Sequence, residues 1–177
     1  MRETSVMALD VVGFSKLMGD NPETTLETLS ARRKIIHDII SSHEGRVFNE
    51  AGDSIVSEFP SNEAAARSAI DIQREMSRLN MGSVAERKML FRAGINYGNV
   101  MDSEGNVFGD TVNVAARLEA ASSPEGVYIS AIAHRSLGPE IAEKFVYLGA
   151  LSLKNISNDV EVYVWTPGHQ TGRYGSS

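Results

Sequence analysis

Residues 91–120, FRAGINYGNVMDSEGNVFGDTVNVAARLEA, carry a strand, a turn and a helix in close succession. The stretch RAGINYGNV predicts the strand, in which Gly94 and Gly98 stand where a side chain would crowd a neighbouring element. Residues 102–105 predict the turn, and residues 111–121 predict a small, alanine-rich helix. Most side chains of this helix are apolar, so we expect it to be well packed.

Towards the N-terminus the sequence predicts, in order, a strand, a helix, a hairpin and a second helix. Residues 5–12 are apolar and β-branched enough for a buried strand, and residues 46–50 and 54–59 form a hairpin around a short connection. The first helix starts at Asn21-Pro22-Glu23 and ends at Gly45. Its predicted buried stripe is Leu26, Leu29, Ile36 and Ile40. The second starts after Ser61, and its buried face is Ala65, Ala69, Ile72, Met76 and Leu79.

Towards the C-terminus the sequence predicts a short strand at 127–130, a short helix at 131–136 and a terminal hairpin of residues 145–153 and 160–165. This order of elements is typical of an α+β fold, in which we expect helices to cover one face of a mainly antiparallel sheet. The sequence has no glycine-rich phosphate loop followed by a helix, which argues against a P-loop or Rossmann fold.

The composition narrows the class of protein. A chain of 177 residues suits one domain, and we expect it to span residues 1–167, with residues 168–177 forming a disordered tail. The formal net charge of -6 argues against a protein that binds nucleic acid through a basic surface. The absence of cysteine excludes disulfides and thiolate metal sites. There is no apolar stretch of the ~20 residues that a membrane helix needs, and no signal-peptide pattern at the start, so we expect a cytoplasmic location.

Two aspartates are candidates for metal ligands. Asp10 ends an apolar strand, where an unpaired buried carboxylate is costly, although a surface position or a helix cap would also explain it. Asp53 lies in the hairpin connection, where Gly-Asp is also common for turn geometry alone. If the first strand lies beside the hairpin, the two carboxylates converge at one edge of the sheet. Such a pair suits Mg²⁺, which takes one or two protein carboxylates and completes its shell with water and phosphate.

The helix at 111–121 carries a second candidate group. Asn113 and Arg117 are four residues apart and therefore share one face of the helix. An isolated pair of this kind would be a solvated surface pair, but on a helix that is otherwise apolar it needs a partner. Arg117 offers a fork of donors for phosphate oxygens, and the amide of Asn113 can both donate and accept.

Four segments, ALDVVGFSKLM, AGDSIVSEF, FRAGINYGNV and VFGDTVNVAARLE, resemble in order and spacing the class III adenylyl and guanylyl cyclases. The resemblance runs from about residue 5 to residue 165, and the last segment is its most specific part. It implies the ferredoxin-like nucleotide cyclase fold and a head-to-tail homodimer with two active sites at the interface. It also implies the substrate, a nucleoside triphosphate that is cyclised to the 3′,5′-monophosphate.

The resemblance assigns roles to individual residues. Asp10, the backbone carbonyl of Val11 and Asp53 of one subunit would bind two Mg²⁺ or Mn²⁺ ions per active site. Asn113 and Arg117 of the other subunit would orient the ribose and stabilise charge on the α-phosphate. Lys154 matches a basic residue near the terminal phosphates.

The sequence departs from the family at the two positions that read the base. Adenylyl cyclases typically have a lysine where this chain has Asn49 and an acid where it has Asn106, and the guanylyl pattern is not met either. An asparagine amide can donate and accept, so it could meet adenine or guanine. ATP is the favoured substrate and GTP the alternative.

A nucleotide-binding or dimerisation module without activity is the second hypothesis. Another palm-type phosphoryl transferase is the third, and the helix with Asn113 and Arg117 argues against it.

Overall fold

The computed structural model describes residues 1–168, so all but the first residue of the expected tail lies outside it. Within these residues the strands are β1 (Arg2–Val11), β2 (Arg46–Ala51), β3 (Ser54–Phe59), β4 (Phe91–Ser103), β5 (Asn106–Phe108), β6 (Val127–Ser130), β7 (Val146–Leu151) and β8 (Val160–Trp165). The helices are α1 (Phe14–Asp20), α2 (Pro22–Ser42), α3 (Asn62–Met81), α4 (Asp110–Ala121), α5 (Ala131–His134) and α6 (Pro139–Ala142), with a 3-10 turn at Ala85–Arg87.

The strands form one sheet in the order β2-β3-β1-β4-β6-β8-β7, with β5 paired to β4 as a hairpin. All pairs are antiparallel except β4 with β6. The mainly antiparallel α+β fold predicted from the sequence is therefore confirmed. The first strand lies directly beside the β2–β3 hairpin, as the convergence of the two aspartates requires.

Helices pack on both faces of the sheet, so the expectation that they cover one face is wrong. Alternate residues of β1 divide between two clusters, because successive side chains of a strand point to opposite faces. Met7 and Leu9 join the larger core, which contains the buried faces of α2 and α3. Val6 and Ala8 join a smaller cluster with Ala115 of α4. Helix α4 therefore lies on the opposite face from the two long helices.

Helix α4 approaches the sheet closely at Gly94 of β4. A Cβ added to Gly94 would lie 2.3 Å from the backbone nitrogen of Glu119 and 2.4 Å from the carbonyl oxygen of Ala115. At Gly98 an added Cβ would lie 2.6 Å from Oγ1 of Thr111. The prediction that side chains at these two glycines would crowd a neighbour is confirmed, and the neighbour is α4.

One detail of the helices differs from the sequence prediction. Leu26 is 51% exposed, because the buried face of α2 runs through Thr25, Leu29, Ile36 and Ile40 and leaves Leu26 beside it. The hydroxyl of Thr25 donates to the carbonyl of Leu17 at 3.0 Å, which satisfies it in this position.

The short elements α1, β5 and α6 were not predicted. Helix α1 follows directly on Gly13, whose φ of 64° turns the chain out of β1 and into the helix. Each of the three has seven residues or fewer, too few for a hydrophobic period to show in the sequence. No helix within residues 1–168 has the length and apolar character needed to cross a bilayer.

Candidate active site

The two candidate metal ligands meet at one end of the central strands. Asp10 stands near the end of β1, which runs antiparallel to β3 with Leu9 opposite Ile55. The backbone N–H of Val11 donates to Oδ2 of Asp53 at 2.9 Å. This bond fixes the second carboxylate beside the residue that follows the first. The structure thus brings Asp10, Val11 and Asp53 together.

A third charged side chain, Arg92, completes this end of the sheet. It stands opposite Asp10 in the β1–β4 ladder. Its Nε and Nη2 donate to the two oxygens of Asp10 at 3.1 and 2.9 Å. Its Nη1 donates to the carbonyl of Ala120, in the last turn of α4, at 3.0 Å. The hydrogen bond to Asp10 raises the pKa of Arg92, so the guanidinium stays charged beside the carboxylates.

Glu119 is a buried carboxyl beside the same cluster. It is 6% exposed, and its Oε2 lies 3.4 Å from Nη2 of Arg92 without a hydrogen-bond partner among the described residues. Burial, followed by the charge of Asp10, raises the pKa of Glu119 to about 8. This end of the sheet therefore holds more negative charge than Arg92 neutralises.

Asn113 and Arg117 lie on another side of α4. Together with Asn155 and Ile156 they line a cavity of about 420 Å³. Arg117 and Glu119 are two residues apart, which rotates their side chains by roughly 200° around the helix axis. Since Glu119 faces the aspartates, Arg117 of the same chain faces away from them. The structure does not bring these two candidate groups together within one chain.

The candidate phosphate and base contacts lie on the β7–β8 connection and on strands β2 and β5. Lys154 is exposed in the β7–β8 connection, directly before the Asn155 that lines the cavity.

Asn49 is exposed on β2, just after an irregularity in its pairing with β3. Asn106 starts β5, and its Oδ1 accepts the backbone N–H of Val107 at 2.8 Å. Arg46 links β2 to the β4–β5 turn by donating to the carbonyl of Gly105 at 3.4 Å.

Arg92 and Glu119 were not singled out from the sequence, although each carries a signal. Arg92 is a charged residue inside a strand otherwise predicted to be crowded by a neighbour. Glu119 lies on the helical stripe of Ala115 and Ser122, where an acid is out of place. Neither signal indicates that the partner is Asp10, because Asp10 is 82 residues before Arg92 and more than 100 before Glu119 in the sequence.

The carboxylate end suits a divalent cation by its donor chemistry. Within residues 1–168, no three or more histidine, cysteine, aspartate or glutamate side chains are grouped as a complete metal site. Two carboxylates and a backbone carbonyl are hard oxygen donors, and Mg²⁺ characteristically leaves the rest of its shell to water and phosphate. Burial and, after it, the charge of Asp10 raise the pKa of Glu119, and a bound cation would relieve the second of these effects. Asp10, Asp53 and the carbonyl of Val11 therefore fit Mg²⁺ or Mn²⁺.

The sequence and the fold of this chain are similar to those of known proteins. The family model of the adenylate and guanylate cyclase catalytic domain matches residues 1–166. The chain belongs to this family. A crystal structure of an adenylate/guanylate cyclase/hydrolase from Silicibacter pomeroyi superposes with a TM-score of 0.86 at 34% identity, covering 94% of this chain and 97% of that one. The adenylyl cyclase CyaB from P. aeruginosa, at 20% identity and a TM-score of 0.77, shares the fold and covers 96% of both chains.

Curated relatives of this cyclase domain are longer proteins. The putative adenylate cyclase 3 of Rhizobium meliloti is 35% identical over 167 residues, which are 94% of this chain and 28% of that protein. Adenylate cyclase 1 of the same organism is 27% identical over 92% of this chain and 27% of its own length. The chain thus spans little more than a quarter of the length of these two relatives.

Proposed function

We propose that this domain converts a nucleoside triphosphate, ATP in preference to GTP, into its 3′,5′-cyclic monophosphate and pyrophosphate. The observation that carries the proposal is the meeting of Asp10 and Asp53 at one end of the sheet, fixed by the Val11–Asp53 hydrogen bond. Relatives named adenylate cyclase support ATP.

The active site would be shared between two copies of the chain. Asn113 and Arg117 face away from the aspartates of their own chain, so one copy supplies only part of a site. A head-to-tail pair would place Asn113 and Arg117 of each copy against Asp10 and Asp53 of the other, and a symmetric dimer makes two such sites. The incomplete site within one chain supports the homodimer.

In the reaction, the ribose 3′-hydroxyl loses its proton to solvent and its oxygen attacks the α-phosphorus in line, while the bond from this phosphorus to the bridging oxygen of pyrophosphate breaks. Two divalent cations bound at Asp10, Asp53 and the Val11 carbonyl would supply charge stabilisation for the entering and leaving oxygens. Arg117 would donate its guanidinium N–H groups to the α-phosphate oxygens, and Asn113 would orient the ribose. Lys154 would bind the terminal phosphates. Asn49 and Asn106 would contact the edge of the base.

Turnover with each nucleotide tests this proposal. The protein is incubated with ATP or GTP and either Mn²⁺ or Mg²⁺, and the cyclic nucleotide is quantified. We expect cyclic AMP to exceed cyclic GMP, and Asp10→Asn or Asp53→Asn to lower turnover by about 100-fold or more, because each removes charge from the cation site. Asp20→Asn, at an exposed carboxylate of α1, is the matched control. Saturable nucleotide binding by a confirmed dimer without any product would instead favour a binding module.

A further inference from the structure

The turn that presents Asp53 is a two-residue connection, closed by the pairing of Ala51 with Ser54 but not enclosed by packing around Gly52. Gly52, directly before Asp53, has a φ of 60°, and no atom lies within 4 Å of the position where its Cβ would be. Because no neighbouring atom crowds Gly52, and glycine has the widest backbone freedom, packing does not restrict the backbone of the turn. The hydrogen bond from Val11 fixes the carboxylate of Asp53 on one side only.

Helix α2 supplies a second link to this turn through Arg33. The Nη2 of Arg33 donates to the carbonyl oxygen of Gly52, which belongs to the peptide bond that leads into Asp53. The Nε of the same guanidinium lies 3.8 Å from Oε2 of Glu50, on the β2 side of the turn. His37, one helical turn further on, contacts Oε1 of Glu50. Arg33 therefore holds the strand before the turn and the peptide at its tip.

These contacts contribute more to position than to stability. The side chains of Arg33 and Glu50 are 30% and 29% exposed, and ion pairs near the surface contribute little to the stability of the fold. A metal ligand, in contrast, must be held within about 0.5 Å of its place. Loss of a group that orients a ligand typically weakens metal binding by about 10- to 100-fold.

We infer that Arg33 is a positioning residue for Asp53, and that it sets the divalent-cation affinity of the site by fixing the Gly52 carbonyl. The inference rests on the proposed function, because it needs Asp10 and Asp53 to be the cation ligands. It assigns to α2, on the face of the sheet opposite α4, a direct part in forming the site. Arg33 itself would not touch the cation or the nucleotide.

The test is Mn²⁺ binding to the nucleotide-free protein, measured by electron paramagnetic resonance of the free ion. We expect Arg33→Ala to raise the Kd for Mn²⁺ about 10-fold, while its melting temperature stays close to that of the wild type. Arg33→Lys keeps the charge and one donor, so its Kd is expected to fall between the two. Lys34→Ala changes the exposed neighbour on the same helix and should bind Mn²⁺ as the wild type does.

Asp53→Asn separates the two possible failures. If Asp53→Asn binds Mn²⁺ as tightly as the wild type, the proposed cation site is wrong. If Asp53→Asn loses Mn²⁺ while Arg33→Ala retains the wild-type Kd, the cation site stands and the role of Arg33 is wrong. If Arg33→Ala does not fold, Arg33→Lys is the test. An Mn²⁺ Kd of Arg33→Lys equal to that of Lys34→Ala would then overturn the inference.

Discussion

Arg92 and Asp10 face each other across the β1–β4 ladder and form a two-point ion pair, with N–O distances of 3.1 and 2.9 Å. The same guanidinium lies 3.4 Å from Glu119 and bonds the carbonyl of Ala120 at 3.0 Å. One arginine thus links a candidate metal ligand to the last turn of the helix that carries Asn113 and Arg117. The charge balance of this cluster leads to a prediction about pH.

We predict that Glu119→Gln stabilises the metal-free protein increasingly as the pH rises from 5.5 to 8. Burial and the charge of Asp10 raise the pKa of Glu119 to about 8, against an ordinary value of 4.5. Between these values the folded chain holds a proton that the unfolded chain releases, so the free energy of unfolding falls as the pH rises. Glutamine removes this loss, which we put on the order of 1–2 kcal/mol after allowing for solvent screening.

Urea unfolding in the presence of a chelator measures this effect. The wild type and Glu119→Gln are compared at pH 5.5 and pH 8, with Asp10, Asp53 and Arg92 unchanged. Glu86→Gln, at an exposed carboxylate in the 3-10 turn, is the control, and its stability difference from the wild type should not vary over this range. If the stability difference between Glu119→Gln and the wild type is also the same at pH 5.5 and pH 8, then Glu119 is ionised in the folded protein over this range.

We predict that two inactive variants restore one another when mixed. Asp53→Asn and Arg117→Ala each damage both sites of a homodimer, but in a mixed dimer both defects fall in one site and leave the other intact. At equal concentrations half of the dimers are mixed, so turnover should return to about a quarter of the wild-type value. Turnover after co-refolding of differently tagged chains measures this. A mixture that stays inactive although mixed dimers are isolated would show that the sites are not shared.

The sequence was sufficient to single out the candidate residues that depend on local pattern. Asp10 stands out because it ends an apolar strand, and Asn113 and Arg117 stand out by their helical spacing. Arg92 and Glu119 could not be assigned in the same way, because their roles come from Asp10, which is distant in the sequence and adjacent only in the folded chain.

The fold shows the same division between local and non-local information. The order of the long elements predicts the α+β class, and Gly94 and Gly98 correctly indicate close packing. The side of the sheet on which α4 lies depends on which alternate residues of β1 and β4 it covers. Both faces of β1 are apolar, with Val6 and Ala8 on one and Met7 and Leu9 on the other. The apolar run of β1 therefore indicates that both faces are covered, which the expectation of helices on one face overlooked, but it does not show which helix lies on which face.

We predict that charged residues at the base-reading positions sharpen the choice of nucleotide. Asn49→Lys with Asn106→Asp installs the pair typical of adenylyl cyclases, and hydrogen bonds to charged groups are about twice as strong as those between neutral groups. The ratio of kcat/KM for ATP to that for GTP should rise about tenfold, which corresponds to about 1.4 kcal/mol. Initial rates with both nucleotides measure the ratio. An unchanged ratio, with turnover retained, would mean that Asn49 and Asn106 do not contact the base.

We predict that Gly94→Ala damages both stability and turnover. The new Cβ would lie within 2.4 Å of backbone atoms of Ala115 and Glu119, and backbone cannot rotate away as a side chain can. Overpacking of this kind typically costs about 1–3 kcal/mol, and it would push α4, with Asn113 and Arg117, away from the sheet. Gly19→Ala is the matched control, because Gly19 is helical and no atom lies within 4 Å of its added Cβ. It should be neutral or stabilising by up to about 1 kcal/mol. Thermal unfolding and initial rates of the two variants measure both effects. If Gly94→Ala keeps full turnover despite lower stability, the position of α4 against β4 does not control the site.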